Sequence, residues 1–167
     1  MFVLGEEKMK REWEKIEYFD KSFDYRTKAL IDLLSYEEKA HCFANMLDIG
    51  CGLQYAKRYF ADKYNIDYCG LDYKPRSNDT IVCDLNKKQF HDVKFDLFLV
   101  AGCLEYVIFV EWFFDQISKY CRKCLLLSYC TLELNPDIEQ RNYNAWKNCF
   151  EKQEIVSILL NYFQFFI

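Results

Sequence analysis

Three carboxylates close short apolar runs in this chain: Asp48 in "NMLDIGCG", Asp72 in "DYCGLDYK" and Asp84 in "TIVCDLN". The first stands at the mouth of a glycine turn, Gly50-Cys51-Gly52, that opens into a helical pattern, and Asp72 follows about 20 residues on. Such a turn is the usual cradle of a nucleotide, because exposed backbone amides and the helix dipole favour negative charge there. Asp48 would repel a phosphate from that cradle. Tyr55, at the third glycine position of the dinucleotide fingerprint, would also hold helix and strand apart. The chemistry therefore favours a ligand that uses the close backbone approach glycine permits and carries positive charge.

Other residue types could act on such a ligand. Glu105 and Tyr106 follow a fourth apolar run, "FDLFLVAGCLEYV", and Glu133 follows a fifth, "CLLLSYC". Each is a candidate catalytic group; equally, Glu105 can cap a helix, Tyr106 can fill a core and Glu133 can belong to a plain loop. Cys121-Arg-Lys-Cys124 has the spacing of a zinc or redox pair. It has no second pair, and the two histidines, His41 and His91, are far from it in sequence. The nine cysteines lie mostly in apolar surroundings, where a reduced thiol acts as a small hydrophobe, so no metal site is expected.

The elements that must position these groups follow from periodicity. Helices are predicted over 5–18 and about 24–41, the second with Leu30, Ile31, Leu33 and Leu34 as its apolar stripe. A strand is predicted over Asn45–Ile49, then a helix from about Leu53 to Tyr64 with Tyr55, Tyr59 and Phe60 on one side. Further strands are "DYCGLD", "TIVCD", "FDLFLVA" and "CLLLSYC"; a helix from about Glu105 to Tyr120 separates the last two. A loop from Asn135 to Trp146 precedes a last helix, Glu151–Tyr162, and "FQFFI" reads as the beginning of a sixth strand. Between the second and third strands only "YKPRSNDT" remains, short of the roughly dozen residues of a helical crossover, so a bare loop is expected there.

Alternating strands and helices predict an α/β fold: a doubly wound, mostly parallel sheet flanked by helices, Rossmann-like. In such sheets ligands bind beyond the carboxyl ends of the strands. That rule collects Asp48, Ile49, Gly50, Cys51, Gly52, Asp72, Tyr73, Asp84, Leu85, Ala101, Gly102, Cys103, Glu105 and the stretch from Cys130 to Glu133. It leaves His91 at the opposite edge.

S-adenosylmethionine fits these carboxylates. It has a sulfonium and an ammonium and no phosphate. Asp72 can accept from both ribose hydroxyls, and Asp84 from the adenine amino group. "LDIGCG", "CGLDYK", "IVCDLN" and "FDLFLVAGCLEYV", in that order, resemble the class I S-adenosylmethionine-dependent methyltransferases over about residues 45–130. The resemblance implies that Asp48, Gly50 and Gly52 flank the methionine part, Asp72 the ribose, and Asp84 and Leu85 the adenine. It implies that Ala101, Gly102 and Cys103 line the methyl-donor end and that Arg26 reaches the methionine carboxylate.

The chain departs from that family in three places. Gln54 replaces a frequent glycine, Tyr106 replaces a frequent histidine, and the usual C-terminal antiparallel strand pair is missing. The last departure suggests a truncated chain or an open edge at "FQFFI" that favours homo-oligomerisation. It also leaves open a catalytically incomplete binding module or partner subunit. A nicotinamide-dependent oxidoreductase is the other rival.

Composition narrows the partners. The 167 residues are 51% hydrophobic and contain no linker-like or repetitive tract, as expected of a single domain with N-terminal helices over 1–43 and a core over 44–167. Net charge is -4 with the signs interspersed, so nucleic acid is not the expected partner. No apolar run approaches a membrane span, and the N-terminus lacks a secretory h-region; a cytoplasmic location is expected. The N-terminal helices and the stretch from Thr131 to Trp146 are rich in aromatics (Tyr18, Phe19, Phe23, Tyr25, Tyr143, Trp146) and should form the acceptor pocket. No Asn/Asp-Pro-Pro-Tyr/Phe follows the fourth strand, so a small-molecule or sugar-like acceptor methylated on oxygen is expected.

Overall fold

The computed structural model describes residues 21–36 and 42–163. The helix expected over 5–18, His41, and all but the first residue of "FQFFI" lie outside them.

Among the described residues, five strands form one sheet in the order β3-β2-β1-β4-β5: β1 Asn45–Ile49, β2 Asp67–Asp72, β3 Ile81–Val82, β4 Phe95–Ala101 and β5 Cys121–Ser128. All four pairings are parallel. The chain builds outward through β2 and β3, then returns past β1 to lay down β4 and β5. Strand order thus reverses between β1 and β4.

Side-chain alternation divides the core into two layers. Met46, Leu97 and Leu99 face helix α1 (Lys21–Tyr36) and helix α2 (55–64), meeting Leu30, Ile31, Leu34, Ala56 and Phe60. Leu47, Ile49, Phe98 and Val100 face the other way, onto Phe113, Phe114 and Ile117 of helix α3 (Val110–Tyr120) and Ile155 of helix α5 (Lys152–Leu160). β1 and β4 are buried on both faces, which is why they read as unbroken apolar runs.

Several boundaries differ from expectation. Leu33 is 61% exposed, because Leu30, Ile31 and Leu34 suffice to cover the sheet and residue 33 rotates off that face. On α2, Tyr55 and Phe60 are buried while Tyr59 is 42% exposed; a π-helical turn, Lys57–Ala61, shifts the face there. The third strand shrinks to two residues, since its bare 73–80 connection supplies no helix to pack against it. The helix expected from Glu105 is a 3-10 turn, Leu104–Tyr106, followed by α3. Inside the expected late loop lies a short helix α4, Ile138–Tyr143, capped by Asp137 accepting from Gln140 N at 2.9 Å. Phe163, expected to open an edge strand, packs edge-on against Phe114 at 6.2 Å between centroids.

β5 starts at Cys121, earlier than the apolar run suggested. Phe95 pairs with Cys121 but Leu97 with Cys124, so a bulge falls inside Cys-x-x-Cys. The Cys121 thiol donates to the Cys124 carbonyl across that bulge at 3.1 Å. The spacing is thus accounted for by strand geometry.

Candidate active site

The carboxyl ends of β1, β2 and β4 surround a cavity of about 480 Å³. It sits beside the reversal of strand order, where a doubly wound sheet opens a crevice. Its floor is the glycine turn. Gly50 has φ +71°, and a Cβ there would stand 2.7 Å from Cys103 Sγ. Only glycine lets the β1 turn close against the end of β4. The turn hangs on β2, with Gly50 N and Cys51 N both donating to Leu71 O.

Gln54, at the departure from the glycine pattern, also adopts a left-handed backbone, φ +57°. Its side chain accounts for the residue's presence: Nε2 donates to Ser77 Oγ at 2.9 Å and ties the glycine turn to the 73–80 loop.

Asp48 is buried on the α1/α2 side and accepts from Tyr68 OH at 2.8 Å. Burial pushes its carboxyl up to about 7; the tyrosine opposes that rise and Asp72 adds to it. Asp72 is 4% exposed, and four donors converge on its carboxylate. Gly52 N (3.1 Å) and Arg76 Nε (3.1 Å) donate to Oδ2, while Lys74 N (3.2 Å) and Arg76 Nη2 (3.4 Å) donate to Oδ1. Asp84 lines the cavity too, but Oδ1 accepts from Asn86 N at 3.0 Å, capping the turn Leu85–Lys87. Burial drives the Cys51 and Cys103 thiols far above their ordinary range, so both stay protonated and inert.

Of the residues named from sequence, Asp48, Gly50, Cys51, Gly52, Asp72, Tyr73, Asp84, Leu85, Ala101, Gly102, Cys103 and Tyr106 all line this cavity. Ile49 does not: it is fully buried in the core on the α3 side. Arg26 is absent from the lining, where its neighbour Thr27 appears; its charge acts on Glu105, Tyr106 and Cys130.

The three catalytic candidates separate. Glu133 is outside the cavity, its carboxylate accepting from Lys152 N at 2.9 Å and so holding the start of α5. Glu105 is 1% exposed behind the cavity wall, with Oε1 accepting from Cys130 N at 3.1 Å. Burial raises its carboxyl, and Oε2 has no hydrogen-bond partner. Tyr106 does face the cavity. Its hydroxyl accepts from Trp146 Nε1 at 3.2 Å, and burial raises it well above the ordinary phenol, which makes it a donor rather than a base.

Sequence reasoning missed Arg76, Asn86, Val107 and Lys147, which also line the cavity; Thr27 and Ala145 reach it from the helix and late loop expected to form the acceptor pocket, whereas Tyr25, Tyr143 and Trp146 of those segments do not line it. Arg76 carried a readable signal, a base four residues after Asp72 in a loop too short to leave it far away. Lys147 carried none; α4 and the turn after it bring it in.

Residues 47–124 match a family described as a methyltransferase domain. The match covers 78 of the chain's 167 residues and is a likeness to that family. No curated protein matches the chain by sequence. Among solved structures, the domain is similar to the plantazolicin methyltransferase BpumL, in complex with a desmethylPZN analog and SAH (16% identity, TM-score 0.62, 93% of this chain and 68% of that one). It is similar to a SAM-dependent methyltransferase from Archaeoglobus fulgidus (16% identity, TM-score 0.56, 81% and 67%). It is also similar to phosphoethanolamine N-methyltransferase 2 of Haemonchus contortus (17% identity, TM-score 0.55, 70% of this chain). The chain spans 32% of that last protein's length. At these identities the likeness is one of fold. Among the described residues, no helix is long and apolar enough to cross a membrane.

Proposed function

We propose that this chain is a methyltransferase domain that binds S-adenosylmethionine in the β1–β2–β4 cavity and transfers its methyl group to a small-molecule acceptor. The observation that carries this reading is the pairing of two buried carboxylates, Asp48 and Asp72, with a glycine turn at the reversal of strand order. Asp72 would take the ribose, Asp84 and Leu85 the adenine edge, and Asp48 the positively charged methionine end. Gly50, Cys51, Gly52 and Tyr73 would complete the walls. The methyl would point past Gly102 and Cys103 toward Tyr106, with Arg26 within electrostatic reach of the methionine carboxylate.

Transfer is an in-line displacement: the acceptor's lone pair forms the new bond to carbon as the carbon–sulfur bond breaks. The products are S-adenosylhomocysteine and methylated acceptor, and the acceptor's proton leaves to solvent. Alignment alone can supply roughly 7–11 kcal/mol of barrier lowering in favourable cases. Among the described lining residues, Cys103 and Tyr106 flank the end of β4 beyond Gly102 and are both held protonated by burial, while Lys147 lines the same cavity. This set suits an acceptor that loses its proton easily, such as an acidic hydroxyl, and the Tyr106 hydroxyl can orient it.

The test is calorimetric titration of the intact chain with S-adenosylmethionine, S-adenosylhomocysteine and NADH, with Asp72→Ala as control. Binding of the first two, lost in the control, is expected; binding of NADH alone would overturn the reading. Turnover is then scored as S-adenosylhomocysteine released with panels of phenolic, carboxylic and amine acceptors. Cofactor binding with no product from any panel would favour the binding-module alternative.

A further inference from the structure

The Asp72 carboxylate has no vacancy for a ribose. Each oxygen already accepts two N–H donors, one from backbone and one from Arg76. A carboxylate oxygen offers about two lone-pair positions, so both are filled. Two ribose hydroxyls brought to Asp72 must displace donors. The backbone amides of Gly52 and Lys74 are fixed by the turn and the strand end, which leaves the guanidinium as the group that can go.

Arg76 is placed to do so without its loop moving. Thr80 Oγ1 accepts from Arg76 N at 3.1 Å and from Ser77 N at 2.8 Å, and Ser77 Oγ is held by Gln54. The backbone of the loop is thereby pinned at both ends of the arginine. The side chain itself is 10% exposed, lines the cavity, and lies with Cζ 5.9 Å from the centroid of the half-exposed Tyr73 ring. That ring offers the displaced cation a face nearby.

We propose that Arg76 is a gate on the ribose subsite: its guanidinium substitutes for the ligand's two ribose hydroxyls on Asp72 and must swing off when an adenosine with a free 2′,3′-diol enters. Arg76 then sets cofactor affinity as a specificity-determining residue, opposing the very contact Asp72 provides. The inference rests on the cavity being an S-adenosylmethionine site.

The experiment compares the intact protein with Arg76→Ala, titrating S-adenosylhomocysteine, adenosine and 2′,3′-dideoxyadenosine by calorimetry. Removing the competing ion pair should tighten the two diol ligands by about threefold to tenfold. The dideoxy compound, which cannot use Asp72, should gain little. In an Asp72→Asn background the gain should vanish. Weaker diol binding in Arg76→Ala, or an equal change for all three ligands, would overturn the gate while leaving the cofactor assignment standing. If neither protein binds any adenosine ligand, the cofactor assignment falls and the gate with it. Arg76→Met, which keeps the aliphatic stem, serves in place of Arg76→Ala should that variant fail to fold by circular dichroism.

Discussion

Asp48 is where the chain's electrostatics and its proposed ligand meet. Its carboxyl, held near 7 by burial, is half protonated at neutral pH when the cavity holds no cation. An ammonium or sulfonium beside it stabilises the charged form, so binding should release a proton. Affinity for S-adenosylmethionine should then fall about tenfold for each pH unit below 7 and level off above it. Titration in two buffers of different ionisation enthalpy reads the released proton directly, and Asp48→Asn should abolish both the release and the slope. Stability runs the opposite way. The folded carboxyl binds its proton more tightly than the unfolded one, whose ordinary value is 3.8. The contribution of Asp48 is therefore complete below that value and is lost as pH rises through about 7. Melting of the ligand-free protein should show this decline, and Asp48→Asn should flatten it. A pH-independent affinity in the wild-type protein would remove Asp48 from contact with the cationic end.

At the scale of elements, a different aspartate fixes the sheet at the end away from the cavity. Asp96 is 4% exposed at the start of β4, accepting from Ala44 N at 3.0 Å and from Lys123 Nζ at 2.8 Å, while its own N–H donates to Asn45 Oδ1 at 2.8 Å. It thus joins the beginnings of β1, β4 and β5. The Ala44 amide and Lys123 hold its carboxyl below the ordinary value. Its stabilising contribution is present above pH 3.8 and is lost as pH falls through the lowered folded value. Asp96→Asn should cost roughly 1–3 kcal/mol near neutrality, read from the urea midpoint, with the deficit shrinking toward acid pH and cofactor binding unchanged. These elements also show what could be read in advance. β1 and β4 were legible because burial on both faces leaves a largely apolar signature, and β2, exposed at its start, because its buried end closes on Asp72. β3 was legible in place but not in length, since strand length depends on what packs over it. The bulge at Cys121–Cys124 was invisible, because the residues that create it are the ones that suggested a metal pair. Helix α4 was missed because six residues carry too little periodicity, although Asp137 ahead of Ile138 was a usable cap signal. The cavity floor could be located from sequence, and the late loop that holds Ala145 was expected at the pocket, but Lys147 arrives through a fold-back that no local pattern announces.

That fold-back couples the whole molecule to the proposed methyl-donor end. Residues 129–150 return across the 3-10 turn Leu104–Tyr106, and buried polar contacts join the two. Lys147 N donates to Glu105 O at 2.7 Å, and Asn148 Nδ2 donates to Leu104 O and Val107 O at 2.8 and 3.0 Å. At the centre, one peptide is gripped from both sides: Glu105 Oε1 accepts from Cys130 N, and Arg141 Nη2 donates to Cys130 O at 2.9 Å. Arg141 is 0% exposed, spends Nε on Asn135 O at 2.6 Å, and stacks its guanidinium 5.0 Å from the centroid of the Trp146 ring, whose N–H reaches Tyr106. One atom of each group, Glu105 Oε2 and Arg141 Nη1, has no hydrogen-bond partner, so neither side chain is fully compensated, and the Arg26 and Arg141 charges both favour the ionised Glu105. Arg141→Met should therefore destabilise the protein by about 3–5 kcal/mol, because Glu105 is left buried beside two undonated carbonyls. Adding Glu105→Gln should restore part of that loss, whereas independent sites would give simple addition. Urea unfolding of the two single variants and the double variant measures the coupling. A ligand readout places it in the molecule: the cavity floor of Gly50 to Gly52 and Asp72 is untouched, so S-adenosylhomocysteine affinity should change little in the double variant. The Tyr106 wall is not untouched, so methyl transfer should fall while cofactor binding persists. Additive stabilities, or loss of cofactor affinity with transfer intact, would mean that the fold-back supports the sheet alone and not the methyl-donor end.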